Sequence, residues 1–448
     1  MNFSRKPTVK KKQSRSLFYR ISAWLHLWLG LITGIVMIIV CVTACIWVFH
    51  DEITRLLEPE TVIARQDKPV ITPSQVREIA AQKYPKLKPG YVTYQQGNAI
   101  YLSLGEGRKG NTVLRLNPYS GEVISVKEHK AGETDFFRFI LNGHRFLWMP
   151  YEIGRPIVNY STLIFVIILI SGMVLWWPQK WTKKAREQSF KIKWDASFKR
   201  VNYDLHNVLG FYSLIVLLAI ALTGMVYGIK WYSNGLYWVT SGGQTIEEFK
   251  RPQSDSTQLG KLYTPEQAMD LAWGKVLARH PEAEGFYYSF ADTSKPKAAI
   301  GITIYPTAGK FYNNRSYSFD QHTLKELAGN KVYDISFAEA GFGAKLRKAN
   351  YDIHVGSILG LPGKILAFFG ALIGASLPVT GFLVWWGKRR KQRKAWLQKS
   401  AGSKRTSGSL NKYLVIRKGP SAVWQTVLRF FIAFVASLPK NHIFIYRY

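Results

Sequence analysis

Four stretches of this chain are almost wholly apolar for twenty residues or more, and strongly polar sequence separates them. They lie at about 22–49, 157–178, 205–230 and 356–387, each close to or above the ~20 residues that a helix needs to cross a bilayer. Lys364 is the main charge inside them, and it falls near an end, where a long stem lets the ammonium reach water. After the first and third runs the periodicity changes. Thr72-Pro73 and Thr264-Pro265 are N-cap and first-turn signals, so helices are predicted over about 73–84 and 265–280. Each is followed by alternating, β-rich sequence, Ala99 to Leu104 and Ala299 to Tyr305. A strand–turn–strand pattern follows from Val113 to Val126 around Ser120-Gly121, and from Tyr317 to Leu327 around Gln321-His322. A helix packed on a small antiparallel sheet accounts for both segments.

The same unit is thus written twice. The second apolar run ends Ser171-Gly172-Met173-Val174-Leu175-Trp176-Trp177 and the fourth ends Thr380-Gly381-Phe382-Leu383-Val384-Trp385-Trp386, each followed by cations. The tryptophans fit an interfacial aromatic belt. The predicted fold class is a membrane protein: an internally duplicated four-helix transmembrane bundle with two small extracytoplasmic α+β domains. Spans are placed at 21–50, 144–179, 203–232 and 351–388, with the domains at 51–143 and 233–350. A basic N-terminus (1–20), a basic loop (180–202) and a basic tail (389–448) complete the chain. Within the tail, 421–438 is short for a span and interrupted by Gln425 and Arg429, which favours an interfacial helix over a fifth span.

A formal charge of +33 first suggests nucleic acid, but its distribution argues otherwise. Residues 1–20, 179–202 and 388–448 carry net charges of +7, +6 and +15, most of the total. Four alternating spans put those segments on one side, which is the positive-inside pattern. Both termini and the central loop are therefore expected in the cytosol, against anionic lipid and not nucleic acid. The first run is too long for a cleaved signal peptide and lacks a small-x-small cleavage site, so it reads as an uncleaved anchor. Cys41 and Cys45, one helical turn apart, read as packing residues.

Histidine carries the chemistry. Leu25-His26-Leu27-Trp28-Leu29-Gly30 opens the first run and Leu205-His206-Asn207-Val208-Leu209-Gly210 opens the third. A histidine at the edge of the hydrocarbon is costly without a partner, and two in matched positions suggest a shared ligand. His144 and His354 precede the second and fourth runs, toward the other face. Repeats of the same orientation are related by an axis along the membrane normal, so each pair draws one residue from each half. Two pairs suit the axial positions of two b-type haems, His26 with His206 and His144 with His354. Gly30, Gly34, Gly210, Gly356 and Gly360 lie near these histidines, either for macrocycle approach or for close helix packing. Arg145 is a candidate partner for a propionate. Arg347 and Lys348 are weaker ones that favour head-group contact. His50 reads as a solvated helix-end residue, and His129, His280, His322 and His442 as surface residues. Trp148, Tyr151 and Trp231 read as belt aromatics with a secondary possibility of docking a ligand. No phosphate loop, dinucleotide fingerprint, nucleophile elbow or H-E-x-x-H motif competes.

These features together — the paired L-H-x-x-L-G, the His144-Arg145 and His354-x-Gly356 elements, the Trp-Trp span ends and the two T-P-x-Q starts — resemble the PepSY-associated transmembrane proteins over roughly residues 15–395. That resemblance implies a bacterial inner-membrane protein with periplasmic PepSY-like domains. It also implies a di-haem reductase that takes electrons from a cytosolic or quinol donor and delivers them to a ferric siderophore or similar iron chelate. The reading from another class is a membrane-anchored PepSY protein that binds peptides or restrains a protease without catalysis.

Overall fold

The computed structural model describes residues 15–105, 110–130, 133–246, 250–258, 262–290 and 295–406, and the predicted helix at 421–438 and His442 lie outside them. The chain divides into two compact units, 1–387 and 388–448.

Among the described residues four helices are long and apolar enough to cross a membrane, as the hydrophobic runs predict. Helix α1 (Leu17–Trp47) begins at the Ser16 cap, whose hydroxyl accepts from the Tyr19 amide. A short amphipathic helix, α2 (His50–Leu57), leads out of it. Helix α3 (Pro73–Lys83) opens with a capping box in which Thr72 and Gln75 bond each other's backbone amides. Strands β1 (Pro89–Gln95), β2 (Ile100–Gly105), β3 (Asn111–Leu116) and β4 (Val123–His129) follow. Helix α4 (Phe136–Phe146) then turns sharply into the second long helix, α5 (Tyr151–Trp176). Short helices α6 (Lys183–Phe190) and α7 (Phe198–Asp204) lead to a π-helical turn over Leu205–Leu209, and α8 (Gly210–Gly228) completes the third span.

The order then recurs. Helix α9 (Lys230–Thr240) leaves the span, and α10 (Pro265–Arg279) opens with a second capping box, Thr264 with Gln267. Strands β5 (Gly285–Ser289), β6 (Ala299–Tyr305), β7 (Arg315–Asp320) and β8 (Glu326–Leu327) precede α11 (Phe342–Val355) and the fourth long helix, α12 (Leu361–Thr406).

The strands do not form two separate sheets, as the sequence leads one to expect. They form one antiparallel sheet of eight in the order β4-β3-β2-β1-β5-β6-β7-β8. The seam is β1 against β5, from Tyr91 opposite Ser289 to Gln95 opposite Gly285. Pairing β1 with β5 removes the inner edge each half would otherwise expose. Helices α3 and α10 lie together on one face: Ser74 donates its amide to Asp270 at 2.9 Å, and Arg77 pairs with Glu266 at 2.8 Å. Val76, Val92, Leu102, Leu114, Trp273, Tyr288, Ile302 and Phe319 join in one buried core beneath them.

Two boundaries differ from the predicted ones, and both matter for the site. His144 and His354 lie not on the long helices but on α4 and α11, which precede them. Helix α11 ends at Gly356, whose φ of +80° is the left-handed cap that glycine favours. Helix α4 ends through Leu147 and Trp148, both left-handed at φ 56° and 55°. Gly154 lies so close to the Phe146 carbonyl that a Cβ would stand 1.9 Å from its oxygen. That close approach folds α4 back against α5.

Candidate functional site

The four singled-out histidines meet as two pairs. The rings of His26 (α1) and His206 (the π turn) have centres 6.1 Å apart at an interplanar angle of 81°. Those of His144 (α4) and His354 (α11) stand 6.2 Å apart at 61°. Each ring is half-buried.

Each ring is also held through Nδ1 from a neighbouring helix. His26 Nδ1 lies 3.0 Å from the Ile168 carbonyl and 3.2 Å from the Ser171 hydroxyl. His206 Nδ1 lies 3.0 Å from the Thr380 hydroxyl. His144 Nδ1 is 2.9 Å from the Val40 carbonyl and 3.3 Å from Thr43 Oγ1. His354 Nδ1 is 3.0 Å from the Ile220 carbonyl and 3.1 Å from Thr223 Oγ1. A carbonyl acceptor requires the proton on Nδ1, which leaves the Nε2 lone pair of His26, His144 and His354 available as a ligand.

Three of the rings rest on glycines. A Cβ at Gly172, Gly381 or Gly224 would stand 3.1, 3.0 or 3.1 Å from Cε1 of His26, His206 or His354. These glycines and the hydroxyls beside them, Ser171, Thr380 and Thr223, were not picked out by sequence reasoning. A signal for them existed: a small hydroxyl residue precedes glycine in all three places, and Thr43 and Thr223 lie at the same spacing after His26 and His206. Of the five glycines that were picked out, Gly34 packs on Pro378 and Gly210 on Leu377, whereas Gly30, one turn beyond His26, has open space beside it.

The pairs occupy different depths. Val40 is fourteen residues beyond His26, and Ile220 fourteen beyond His206. At about 1.5 Å of rise per residue the pairs are about 20 Å apart along the helices. The His144–His354 pair is the one nearer the sheet.

Other predicted residues fall elsewhere. Arg145 is exposed beside His144. Lys348 does not face head groups: it is buried, and Nζ donates to the Val332 and Ile335 carbonyls at 3.2 and 3.0 Å. Burial lowers its ammonium to about 8, an effect that Asp334 opposes. Arg347 donates to Ser233 Oγ. His50 stacks on Trp47 at 4.4 Å and pairs with Asp51 at 3.0 Å, away from both histidine pairs. His322 is not on the surface: the 295–298 loop folds over it, and Nε2 donates to the Pro296 carbonyl at 2.8 Å. His280 is likewise mostly covered, bonded to the Tyr317 hydroxyl. Lys364 is held by Glu52 at 2.8 Å instead of reaching freely to water. Trp176 is not a belt residue: it is buried and stacks on Phe211 at 3.8 Å, while Trp177 and Trp386 are exposed. Trp148 caps α4, with Nε1 donating to the Phe139 carbonyl at 2.8 Å. Tyr151 lies under the Arg155 guanidinium at 5.0 Å, and Trp231 is exposed at the start of α9. Cys41 is buried among apolar side chains, as expected of a packing residue.

Four apolar helices joined to a soluble antiparallel sheet define a membrane protein with a domain outside the bilayer. The model of the PepSY-associated TM region matches residues 23–388, and the chain belongs to that family. No curated protein matches the chain.

Proposed function

We propose that this protein is a duplicated, di-haem electron carrier of the bacterial inner membrane that reduces a ferric chelate, such as a ferric siderophore, on the periplasmic side. The observation that carries the reading is the pair of histidine pairs. Two imidazoles bound through Nε2 to one metal, at about 2 Å each, have ring centres about 6 Å apart. The pairs measure 6.1 and 6.2 Å. Among the described residues no group of three or more His, Cys, Asp and Glu gathers to hold an ion unaided. A pair of imidazoles instead suits a metal that brings its remaining ligands with it, as haem iron would. The Nδ1 bonds to carbonyls and hydroxyls are the outer contacts that orient ligating histidines, and glycine under three of the rings leaves room at the helix surface.

His26 and His206 would hold one haem, His144 and His354 the other. When bound, haem supplies one-electron transfer between ferric and ferrous iron. The residues of the chain supply ligation, orientation through Nδ1, and burial in a water-poor bundle. With both groups bound, one electron from a reduced cytosolic carrier or a membrane quinol would enter at the His26 side and leave at the His144 side, where it would convert one chelated Fe(III) to Fe(II). The two halves of the sheet are read as the PepSY-like domains of the family.

Haem stoichiometry and the reduced spectrum of the pure protein test this reading. Two haems per chain and the sharp α-band of low-spin haem b are expected. His26→Ala or His206→Ala should each remove one haem, and His144→Ala or His354→Ala the other. A purified protein without that band overturns the proposal and favours the non-catalytic peptide-binding alternative.

A further inference from the structure

The two faces of the sheet differ in kind. Val92, Leu102, Ile302 and Ile304 point into the core and are at most 1% exposed. Their neighbours in sequence point to the opposite face, which is tied to the ends of the spans. Glu58, just after α2, reaches Arg115 at 3.8 Å and also pairs with Lys127. On the other flank the Phe311 amide donates to Asp352 of α11 at 3.0 Å. This face therefore looks toward the His144–His354 end of the bundle.

Tyrosines cross it. Tyr101 (β2) stands 5.9 Å from Tyr91 (β1), and Tyr91 stands 5.8 Å from Tyr287 (β5). The Arg115 guanidinium lies 4.8 Å over Tyr101. On β6, Tyr305 meets Phe311 at 5.5 Å, and Phe311 meets Tyr351 at 5.0 Å, three residues before His354. Tyr91 is 37% exposed, and Tyr101, Tyr287 and Tyr305 are half-buried. Thr93, Ser103, Ser289 and Thr303 fill the positions between the rings, and no carboxylate occurs at any position of β1, β2, β3, β5 or β6. Burial raises the Tyr101 and Tyr287 phenols and pushes Tyr305 up to about 12. Those three phenols thus stay neutral and able to donate near neutral pH.

We propose that this phenol-lined face is the docking site for the ferric chelate, and that the chelate is an anionic one of catecholate type. The inference rests on the reductase reading above. Flat phenol rings at this spacing offer stacking surfaces to the rings of a tris-catecholate. Phenol and hydroxyl O–H groups donate to its anionic oxygens, which makes strong, charge-assisted bonds. At one flank Arg115 and Lys127 set two positive charges against the single carboxylate of Glu58, which leaves the flank net positive. Carboxylates, which repel such an anion, are missing from those five strands. A hydroxamate chelate without rings gains the hydrogen bonds but not the stacking.

The test uses full-length, haem-loaded protein in detergent. Binding of the redox-inert Ga(III) tris-catecholate is measured first by titration, then reoxidation of dithionite-reduced protein by Fe(III) tris-catecholate in stopped flow. Tyr91→Ala/Tyr287→Ala should raise the dissociation constant for the gallium complex and the half-saturating concentration of the iron complex by about tenfold or more. The haem spectrum and the rate of reoxidation by ferricyanide should stay at wild-type values. Tyr91→Phe/Tyr287→Phe keeps the rings and should lose less. Unchanged gallium binding in the alanine variant, or none in the wild type, overturns the site. Gallium binding with no electron transfer to the iron complex leaves the site standing and overturns the reductase reading instead.

Discussion

Thr380 sits between two residues of its own half: its hydroxyl lies 3.0 Å from His206 Nδ1, and its carbonyl accepts from Asn202 at 3.0 Å. Thr380→Ala removes the hydroxyl but keeps the carbonyl. Loss of such an outer contact weakens metal binding about 10–100-fold. Haem titration of the stripped protein should show that loss at one of two sites, with Thr380→Ser restoring it. Both haems binding the alanine variant at wild-type affinity would count against the His26–His206 assignment. The histidines themselves are legible in the sequence because a repeated motif marks them and a second pair recurs at the other face. Their hydroxyl partners are far less so, since Ser171 is 145 residues from His26 and Thr380 is 174 from His206. The burial of His322 and Lys348 is not legible at all. It is decided by the loops at 295–298 and 332–335, which fold over them and carry no pattern that hydropathy can read.

At the scale of elements, the two histidines nearer the sheet are carried differently. Helix α4 buries only Ile140 and Gly143. Helix α11 buries Lys348, Asn350 and Asp352, with Asn350 Nδ2 donating to the Thr223 carbonyl at 3.2 Å. Buried charge on α11 makes its stability depend on pH. Lys348 faces Asp334 and Arg315 and lies 5.4 Å over the Tyr333 ring. Its folded value is about 8, whereas an unfolded lysine titrates near ~10.4. Between those values the unfolded chain binds more protons, so the stability contributed at this site rises with pH. Below about 8 both states are protonated and the full cost of burying the ammonium is present. Thermal midpoints of the wild type and Lys348→Met should therefore converge as pH climbs from 7.5 to 10, with the variant the flatter of the two. Parallel curves would show that Lys348 stays charged in the fold. The capping boxes at Thr72 and Thr264 made α3 and α10 readable to within a residue. The π turn at Leu205–Leu209 was not readable, because L-H-x-x-L-G also occurs in the regular helix α1. The difference lies in what packs around the motif, not in the motif itself.

For the whole molecule, the β1–β5 seam is the connection that sequence periodicity could not supply. Each half presents an edge with the same alternation, and pairing depends on two segments almost two hundred residues apart meeting in register. The seam also fixes topology by an argument independent of charge. Strands β1 and β5 share hydrogen bonds, so they lie on one side of the membrane, and α5 and α8 must cross in opposite directions between them. Residues 177–197 then lie on the opposite side, and the positive-inside rule predicts that side to be the cytosol. A Cys41→Ser/Cys45→Ser background makes this measurable with single cysteines. Thr307→Cys, at an exposed position after β6, should react with a membrane-impermeant maleimide on intact spheroplasts. Ser197→Cys, exposed before α7, should react only after lysis. Labelling of both without lysis would break the membrane assignment of α5 and α8. The inverse pattern would reverse the direction of electron flow proposed above, because the chelate-facing sheet would then lie in the cytosol.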